Sequence, residues 1–311
     1  MSSFHSCARL VLAVPFLSAP ALATAQQFTA WSGVVRVTEI NSPLPDGCPI
    51  EAPDGLHIYI ASPRPGTLGG NDIWVAERAA IAAPWGEPVN LGPPVNSTAN
   101  DFCPTPLHGK WLLFVSERPG PDTCNAGPGL GDIYLARRNP AQGWGEPVHL
   151  GCADRGDGPN TTGAEFSPSL VETAAGTFLY FSSDVGGNQD IYVSRLGDDG
   201  RFGAPTIVAE LSTPDDDRMP NVSKDGREIV FSSNRTTWGG GQPAFGGQDV
   251  YIATRESVHS AWSDPVNAGD QVNKEGGETR ASMSWDRLRL HFGRDGEVYV
   301  STRERLHGKR R

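Results

Sequence analysis

Short apolar segments alternate with clusters of glycine, proline, asparagine and aspartate along almost the whole chain. Apolar runs of this length, bounded by turn residues, are typical of β-strands. One phrase recurs as GGNDIWVAER (69–78), GLGDIYLARR (129–138), GGNQDIYVSR (186–195) and GGQDVYIATR (246–255). Its aspartates lie 58 to 60 residues apart, at Asp72, Asp132, Asp190 and Asp249. The pattern therefore predicts an all-β protein built from a structural repeat.

Each repeat contains four strand segments, which is the content of one four-stranded antiparallel blade of a β-propeller. The fifth repeat ends after three segments, whereas AWSGVVRVTEINSPLPDG from Ala30 matches AWSDPVNAGDQVNKEG from Ala261. We therefore predict a five-bladed β-propeller whose N-terminal strand, near residues 30–40, pairs antiparallel with residues 297–302. This strand closes the last blade and leaves no open sheet edge.

The repeats place the blades at about 46–97, 98–160, 161–214, 215–274 and 275–303, the last completed by 29–42, within a single domain of residues 26–311. Residues 1–25 contain Arg9, an apolar run from Leu10 to Leu22 and small residues up to Ala25. This arrangement is typical of a secretory signal peptide. No later stretch has the roughly 20 apolar residues that a spanning helix needs. We expect a periplasmic or secreted protein without a membrane span.

The net charge of the chain indicates which kinds of molecule the protein can bind. The chain has 26 basic and 36 acidic residues, a net charge of −10. A polyanion such as nucleic acid is a poor partner for an acidic surface. We expect no nucleic acid and a monomeric protein that binds an envelope protein or a glycan.

Four cysteines remain once Cys7 leaves with the signal peptide. An even number in an oxidising compartment favours two disulfides. We predict Cys48 with Cys103, at the same position of neighbouring inner strands, and Cys124 with Cys152, on loops at one face. A pairing of Cys103 with Cys124 stays open. A four-thiolate zinc site is disfavoured because no C-x-x-C pair is present.

The repeat resembles the TolB-like branch of the WD40-like periplasmic propeller repeats. The family run is an acidic residue followed by x-x-P, a turn S-x-D-G, a strand ending F-x-S-x-R, and then G-G-x-D-I-Y. Blade four has Asp217, Pro220, SKDG from Ser223, FSSNR up to Arg235, and GGQDVY from Gly246. The resemblance implies a propeller that serves as a binding scaffold, although related architectures also host hydrolases and lyases.

An acidic residue stands just before each predicted innermost strand: Asp46, Asp101, Glu165, Asp217 and Glu278. Inner strands line the axis of a propeller, so we expect a ring of carboxylates near one mouth of the channel. Such a ring raises the pKa of its members or holds a cation. Arg218 and Arg280 should neutralise the ring acids of blades four and five. We therefore expect a cation such as calcium near Asp101 and Glu165. The alternative is that each acid accepts backbone amide hydrogen bonds and fixes a turn.

Two residues after each acid the repeat is least regular, with Cys48, Cys103, Ser167, Met219 and Arg280. The arginines and aspartates that flank the hairpins predict structural ion pairs, namely Arg64 with Asp72, Arg118 with Asp132, and Arg235 with Asp249.

Two hairpin loops are enlarged, at 119–131 and 236–247, and the second carries Trp238 and Phe245. These loops should project on the same face as the acids. An aromatic on a glycine-rich loop suggests a stacking surface for a sugar or a peptide. The alternative is that Trp238 folds back over blade four.

Standard catalytic motifs are absent from the sequence, including G-x-S-x-G and H-E-x-x-H. The first functional hypothesis is a binding propeller that holds a protein segment or a glycan on its acid-lined face. The second is a glycoside hydrolase in which two of the ring carboxylates act as acid and base. The two hypotheses make different predictions about the exposure of the ring acids, because an enzyme needs at least two of these acids facing an open pocket.

Overall fold

The computed structural model describes residues 28–306 apart from 109, 121, 125–129, 239 and 240. The predicted signal peptide at 1–25 lies outside the described residues. Five antiparallel sheets, each with four main strands, form a five-bladed β-propeller. This confirms the fold class predicted from the repeat. Among the described residues, no helix is long and apolar enough to cross a membrane.

The strands follow one another from the axis to the rim within each blade. Blade one contains β2 (Gly47–Glu51), β3 (His57–Ser62), β4 (Asp72–Glu77) and β5 (Val89–Asn90). Blade two contains β6 (Asp101–Leu107), β7 (Trp111–Ser116), β8 (Asp132–Asn139) and β10 (Val148–His149), with β9 (Gly143–Trp144) also paired to β8. Blade three contains β11 (Glu165–Thr173), β12 (Gly176–Ser183), β13 (Asp190–Arg195) and β14 (Thr206–Ile207).

The remaining strands belong to blades four and five. Blade four contains β15 (Asp217–Val222), β16 (Glu228–Ser233), β19 (Asp249–Thr254) and β20 (Val266–Asn267), with a separate hairpin of β17 (Thr237–Trp238) and β18 (Gln242–Pro243). Blade five contains β21 (Glu278–Met283), β22 (Arg289–Arg294), β23 (Glu297–Thr302) and the N-terminal β1 (Ser32–Arg36).

The N-terminal strand closes the ring as the fifth repeat predicts. β1 pairs antiparallel with β23, with Ser32 opposite Thr302 and Arg36 opposite Tyr299. Trp31, just before this strand, is buried and packs with Val230 and Val250 of blade four. The first strand is therefore held both by its sheet and by the neighbouring blade.

Apolar clusters fill the spaces between adjacent blades. In three interfaces an arginine at the end of the third strand stacks on the tryptophan of the outer segment. The pairs are Arg78 with Trp85 at 4.0 Å, Arg255 with Trp262 at 4.1 Å, and Arg303 with Trp31 at 4.1 Å between guanidinium carbon and ring centre. Guanidinium groups stack favourably on indole rings while their stems cover apolar surface. These pairs close the rim of the interfaces between blades five and one, three and four, and four and five.

Every inner strand has the same local distortion two residues after its acid. Cys48, Cys103, Ser167, Met219 and Arg280 all have positive φ, from 47° to 58°. The pairing register of each inner strand shifts at this residue. A bulge with a left-handed residue bends a strand and redirects its side chain. The irregular positions of the repeat are thus five equivalent bulges near the axis.

Candidate functional site

The five predicted ring acids lie at the start of the inner strands, at the end of the propeller that we call the acid face. All five are buried, with exposures of 0 or 1 %. Each carboxylate accepts a hydrogen bond from the backbone N–H four residues earlier. These donors are Ser42, Ser97, Thr161, Thr213 and Lys274. The acids therefore hold the turn that leads into each inner strand.

In four blades an arginine neutralises this buried acid. Arg118 Nη2 lies 2.8 Å from Asp101 Oδ1, and Arg294 Nε lies 2.6 Å from Glu278 Oε1. The other two pairs are Arg64 with Asp46 and Arg235 with Asp217. A buried carboxylate needs such a partner because desolvation of an unpaired charge is costly.

The predicted ion pairs across the hairpins, Arg64–Asp72, Arg118–Asp132 and Arg235–Asp249, are therefore wrong. Each arginine turns toward the inner strand of its own blade. The hairpin aspartates accept other hydrogen bonds: Asp72 from Leu68 N and Asn90 Nδ2, and Asp249 from Phe245 N and Asn267 Nδ2. In each blade the inner-strand acid and the hairpin aspartate flank the same second strand, so spacing along the sequence did not show which of the two would pair with the arginine.

Blade three differs because Asp184 replaces the arginine. Glu165 accepts hydrogen bonds from Thr161 Oγ1 and Ser183 Oγ through Oε1, and its buried Oε2 has no partner among the described residues. Burial raises the pKa of the Glu165 carboxyl well above its usual range. Burial also raises the pKa of Glu278, and the Arg294 pair opposes that rise. The acids thus occupy unequal environments, although none faces solvent.

Side chains from the bulges meet near the axis of the propeller. Cys48 and Cys103 form a disulfide with Cα atoms 4.9 Å apart, and Ser167 Oγ donates to Cys103 Sγ at 3.3 Å. Arg280 is fully buried, and its Nη2 reaches Thr105 Oγ1 of blade two at 2.9 Å. Burial lowers the pKa of Arg280 to about 9. Blade two is therefore tied to blades one, three and five.

The second disulfide joins Cys124 and Cys152, with Cα atoms 5.5 Å apart, so both predicted pairings are confirmed. Among the described residues, His149 with these two cysteines is the one convergent group of metal-ligand side chains, and the two cysteines are bonded to each other. A calcium site near Asp101 and Glu165 stays a prediction.

The remaining predicted site residues lie apart from one another. Phe245 is 42 % exposed on the acid face, and its backbone N–H donates to Asp249. Arg218 is partly buried beside Asp217, and burial lowers the pKa of its guanidinium. The side chain of Trp238 lies outside the described residues. The stacking surface at Trp238, and its alternative of a side chain folded over blade four, therefore stay predictions.

A pocket lined with aromatic side chains lies at the opposite face, between the turns of blades one, two and five. Its volume is about 390 Å³. Trp111 and Trp285 line it and are 38 % and 40 % exposed, while Trp144 is half-buried and Tyr59 is buried. His108 meets the Trp285 ring edge-on, with ring centres 5.1 Å apart. We call this the aromatic pocket.

Polar groups accompany these rings. The Nδ1 atom of His57 lies 2.8 Å from Asp54 Oδ2, and its Nε2 lies 3.4 Å from Glu77 Oε1. Arg138 also lines the pocket. Burial raises the pKa of the Tyr59 hydroxyl to about 12. Flat apolar rings with neighbouring hydrogen-bonding groups suit a ligand that has both apolar faces and hydroxyl groups.

Sequence reasoning did not find the aromatic pocket because its residues come from three repeats. One signal was available at the turn of blade five. Trp285 stands in SWDR, where blade four has Lys224 in SKDG. A bulky aromatic in a turn that is otherwise polar breaks the repeat, and such a position is where a binding residue is expected.

No family model and no curated protein matches the sequence. Among solved structures, an α-L-arabinofuranosidase from Lactobacillus brevis is 14 % identical with a TM-score of 0.52, over 89 % of this chain and 95 % of that one. A GH43 endo-arabinanase from Bacillus licheniformis is 14 % identical with a TM-score of 0.54, over 88 % and 97 %. A candidate TolB protein from Agrobacterium tumefaciens is 14 % identical with a TM-score of 0.47, over 91 % and 100 %. At these identities the likeness concerns the fold, and the TolB-like assignment stays a prediction.

Proposed function

We propose that this protein is a non-catalytic glycan-binding propeller that uses the aromatic pocket of the opposite face. The observation that carries the proposal is the pair of exposed tryptophans, Trp111 and Trp285, in one cavity with Asp54, His57 and Arg138. Pyranose and furanose rings stack their C–H faces on indole and place their hydroxyls at such polar groups. The two disulfides fit a protein of an oxidising compartment, so we place this function in the periplasm or outside the cell.

The burial of the acid ring supports binding over catalysis. A glycoside hydrolase needs a protonated and an ionised carboxyl on either side of a substrate. Here all five carboxyls are buried, and Asp46, Asp101, Asp217 and Glu278 hold arginines. Their contacts are those of turn-fixing residues.

A glycan array with the secreted chain tests the proposal. We expect selective binding of a group of oligosaccharides by the wild type and at least a tenfold loss in Trp285→Ala, because the variant lacks one stacking face. The Glu87→Gln variant, changed at an exposed residue outside this pocket, serves as the matched control and should bind like the wild type. Binding of no glycan, or equal binding by Trp285→Ala, would overturn the proposal.

A glycoside hydrolase is the second candidate, favoured by the structural neighbours, which include an arabinofuranosidase and an endo-arabinanase. The contrast between Glu165, whose pKa is raised, and the arginine-paired acids resembles the unequal environments of an acid–base pair. Release of reducing ends from arabinan by the wild type, abolished in Glu165→Gln, would favour this candidate. We expect no release by either protein.

A further inference from the structure

The interfaces on either side of blade two are closed differently from the other three. Arg138 and Trp144 are cross-strand neighbours, and so are Leu196 and Phe202 at the equivalent positions of blade three. The segments that join these positions are one residue shorter than the segment from Arg78 to Trp85. Within the described residues, no arginine stacks on Trp144 or Phe202, and each of these two interfaces contains a cavity.

The cavity between blades two and three, which we call the interblade cleft, has a volume of about 920 Å³. This volume is within the range of small-molecule sites. One side of the cleft is apolar, built from Leu135, Val148, Leu150, Leu170, Leu196 and Phe202. Polar and charged side chains also line it: Asp122, His149, Arg155, Asp157, Glu172, Thr177 and Arg201. Replacing the arginine and tryptophan of the closed interfaces by leucine and phenylalanine leaves this space between the blades.

The interblade cleft meets the aromatic pocket at Leu107 and Trp111, which line both. A ligand that lies beside Trp111 therefore borders both cavities. We propose that the ligand is a glycolipid, with its saccharide in the aromatic pocket and its acyl chain in the interblade cleft. This inference rests on the proposed glycan-binding function and adds the chemical class of the ligand.

The chemistry of the cleft favours an acyl chain over a peptide segment. A peptide would need hydrogen-bond partners for its backbone, and burying those groups without partners is costly. The leucine and phenylalanine side chains offer none, and two of the charged side chains in the lining already bond to backbone groups: Asp157 accepts from Cys152 N, and Arg155 donates to Asp122 O and Thr123 O. Strand β10, at the rim of blade two, has only two residues, Val148 and His149, so it gives little edge for an added strand. An acyl chain has no polar group to satisfy, and each methylene that it buries favours binding.

Binding of dodecyl maltoside below its micelle concentration, followed by tryptophan fluorescence, tests this proposal. The wild type should bind dodecyl maltoside about 100-fold more tightly than maltose, because the chain adds buried apolar area. Val148→Lys places a charge on the wall of the interblade cleft and should weaken binding at least tenfold. Val89→Lys is the matched control, since Val89 has the same repeat position and the same exposure of 64 % but lines neither cavity.

A second variant, L196R/F202W, fills the cleft with the residue types that other blades use at these positions, and it should lose the chain-dependent affinity. Equal binding by Val148→Lys with weaker binding by Trp285→Ala would overturn the glycolipid inference and leave the glycan site in place. Weaker binding by Val148→Lys with no effect of Trp285→Ala would overturn both the saccharide site and the glycolipid. Equal weakening by Val148→Lys and Val89→Lys would show adsorption of detergent and would also overturn the inference.

Discussion

Arg280 of blade five donates a hydrogen bond from Nη2 to Thr105 Oγ1 of blade two, 2.9 Å away, across the axis of the propeller. Its Nε and Nη1 have no protein partners among the described residues. Burial is the one cause that lowers the pKa of this guanidinium to about 9. The axis is therefore occupied by a desolvated cation with which no carboxylate of the described residues pairs.

Arg280→Met should keep the fold and not lower the free energy of unfolding at pH 7. Even buried charges that are paired can often be replaced by apolar residues with no loss of stability, and Met219 already occupies this position in blade four. Arg294→Met should instead cost about 3–5 kcal/mol, because it leaves Glu278 buried without its cation. Urea unfolding of both variants makes the comparison. A larger loss in Arg280→Met than in Arg294→Met would contradict it.

The Arg280 guanidinium should also make the free energy of unfolding depend on pH. Below pH 9 Arg280 is charged in both the folded and the unfolded chain, so its desolvation cost is present in full. Above its folded pKa of about 9 the unfolded chain holds a proton that the folded chain has lost, so the contribution of this group to stability rises with pH. Stability curves of the wild type and Arg280→Met should therefore converge as the pH rises above 9. Parallel curves would argue against a depressed pKa.

Glu165→Gln should flatten the pH dependence of stability in the acid range. Because the pKa of Glu165 is raised in the folded chain, the folded chain holds a proton that the unfolded chain has lost once the pH exceeds the ordinary glutamate value. Stability therefore falls as the pH rises through that window, and glutamine removes the fall. Asp101→Asn serves as the contrast and should cost about 3 kcal/mol, because it leaves Arg118 without its carboxylate. Melting curves from pH 4 to 8 distinguish the two; a large loss in Glu165→Gln at pH 7 would be the contrary result.

Non-reducing peptide mapping should recover two crosslinked peptides, one with Cys48 and Cys103 and the other with Cys124 and Cys152. Each bridge should contribute about 2–4 kcal/mol to stability. Reduction should therefore lower the melting temperature, and the serine variant of each pair should account for part of the loss. Free thiols, or a peptide linking Cys103 to Cys124, would contradict the assignment.

Trp31→Ala should weaken the closure of the ring by the N-terminal strand. This side chain is 3 % exposed and lies beneath the Arg303 guanidinium, so its removal should cost about 3–5 kcal/mol. Trp111→Ala, at an exposed tryptophan, should cost less than about 1 kcal/mol. Thermal unfolding measures both, and equal losses would mean that the N-terminal strand does not hold the last blade.

The repeat made the fold predictable, whereas the site depended on contacts that the repeat does not encode. The 58-to-60-residue spacing, the truncated fifth copy and the equivalent positions of Cys48 and Cys103 predicted the blades, the closure and a disulfide. The direction of Arg64 was not predictable, because Asp46 and Asp72 both flank the strand that precedes it. The aromatic pocket was missed because Tyr59, Trp111 and Trp285 come from different blades and meet only in the folded ring.

The most direct test of the central claim compares Trp285→Ala with Phe245→Ala by calorimetric titration of an oligosaccharide that the glycan array selects. Both side chains are exposed aromatics, with exposures of 40 % and 42 %, but they lie on opposite faces of the propeller. A glycan in the aromatic pocket predicts at least a tenfold rise in Kd for Trp285→Ala and an unchanged Kd for Phe245→Ala. An unchanged Kd for Trp285→Ala with a raised Kd for Phe245→Ala would contradict the account and place the ligand on the acid face.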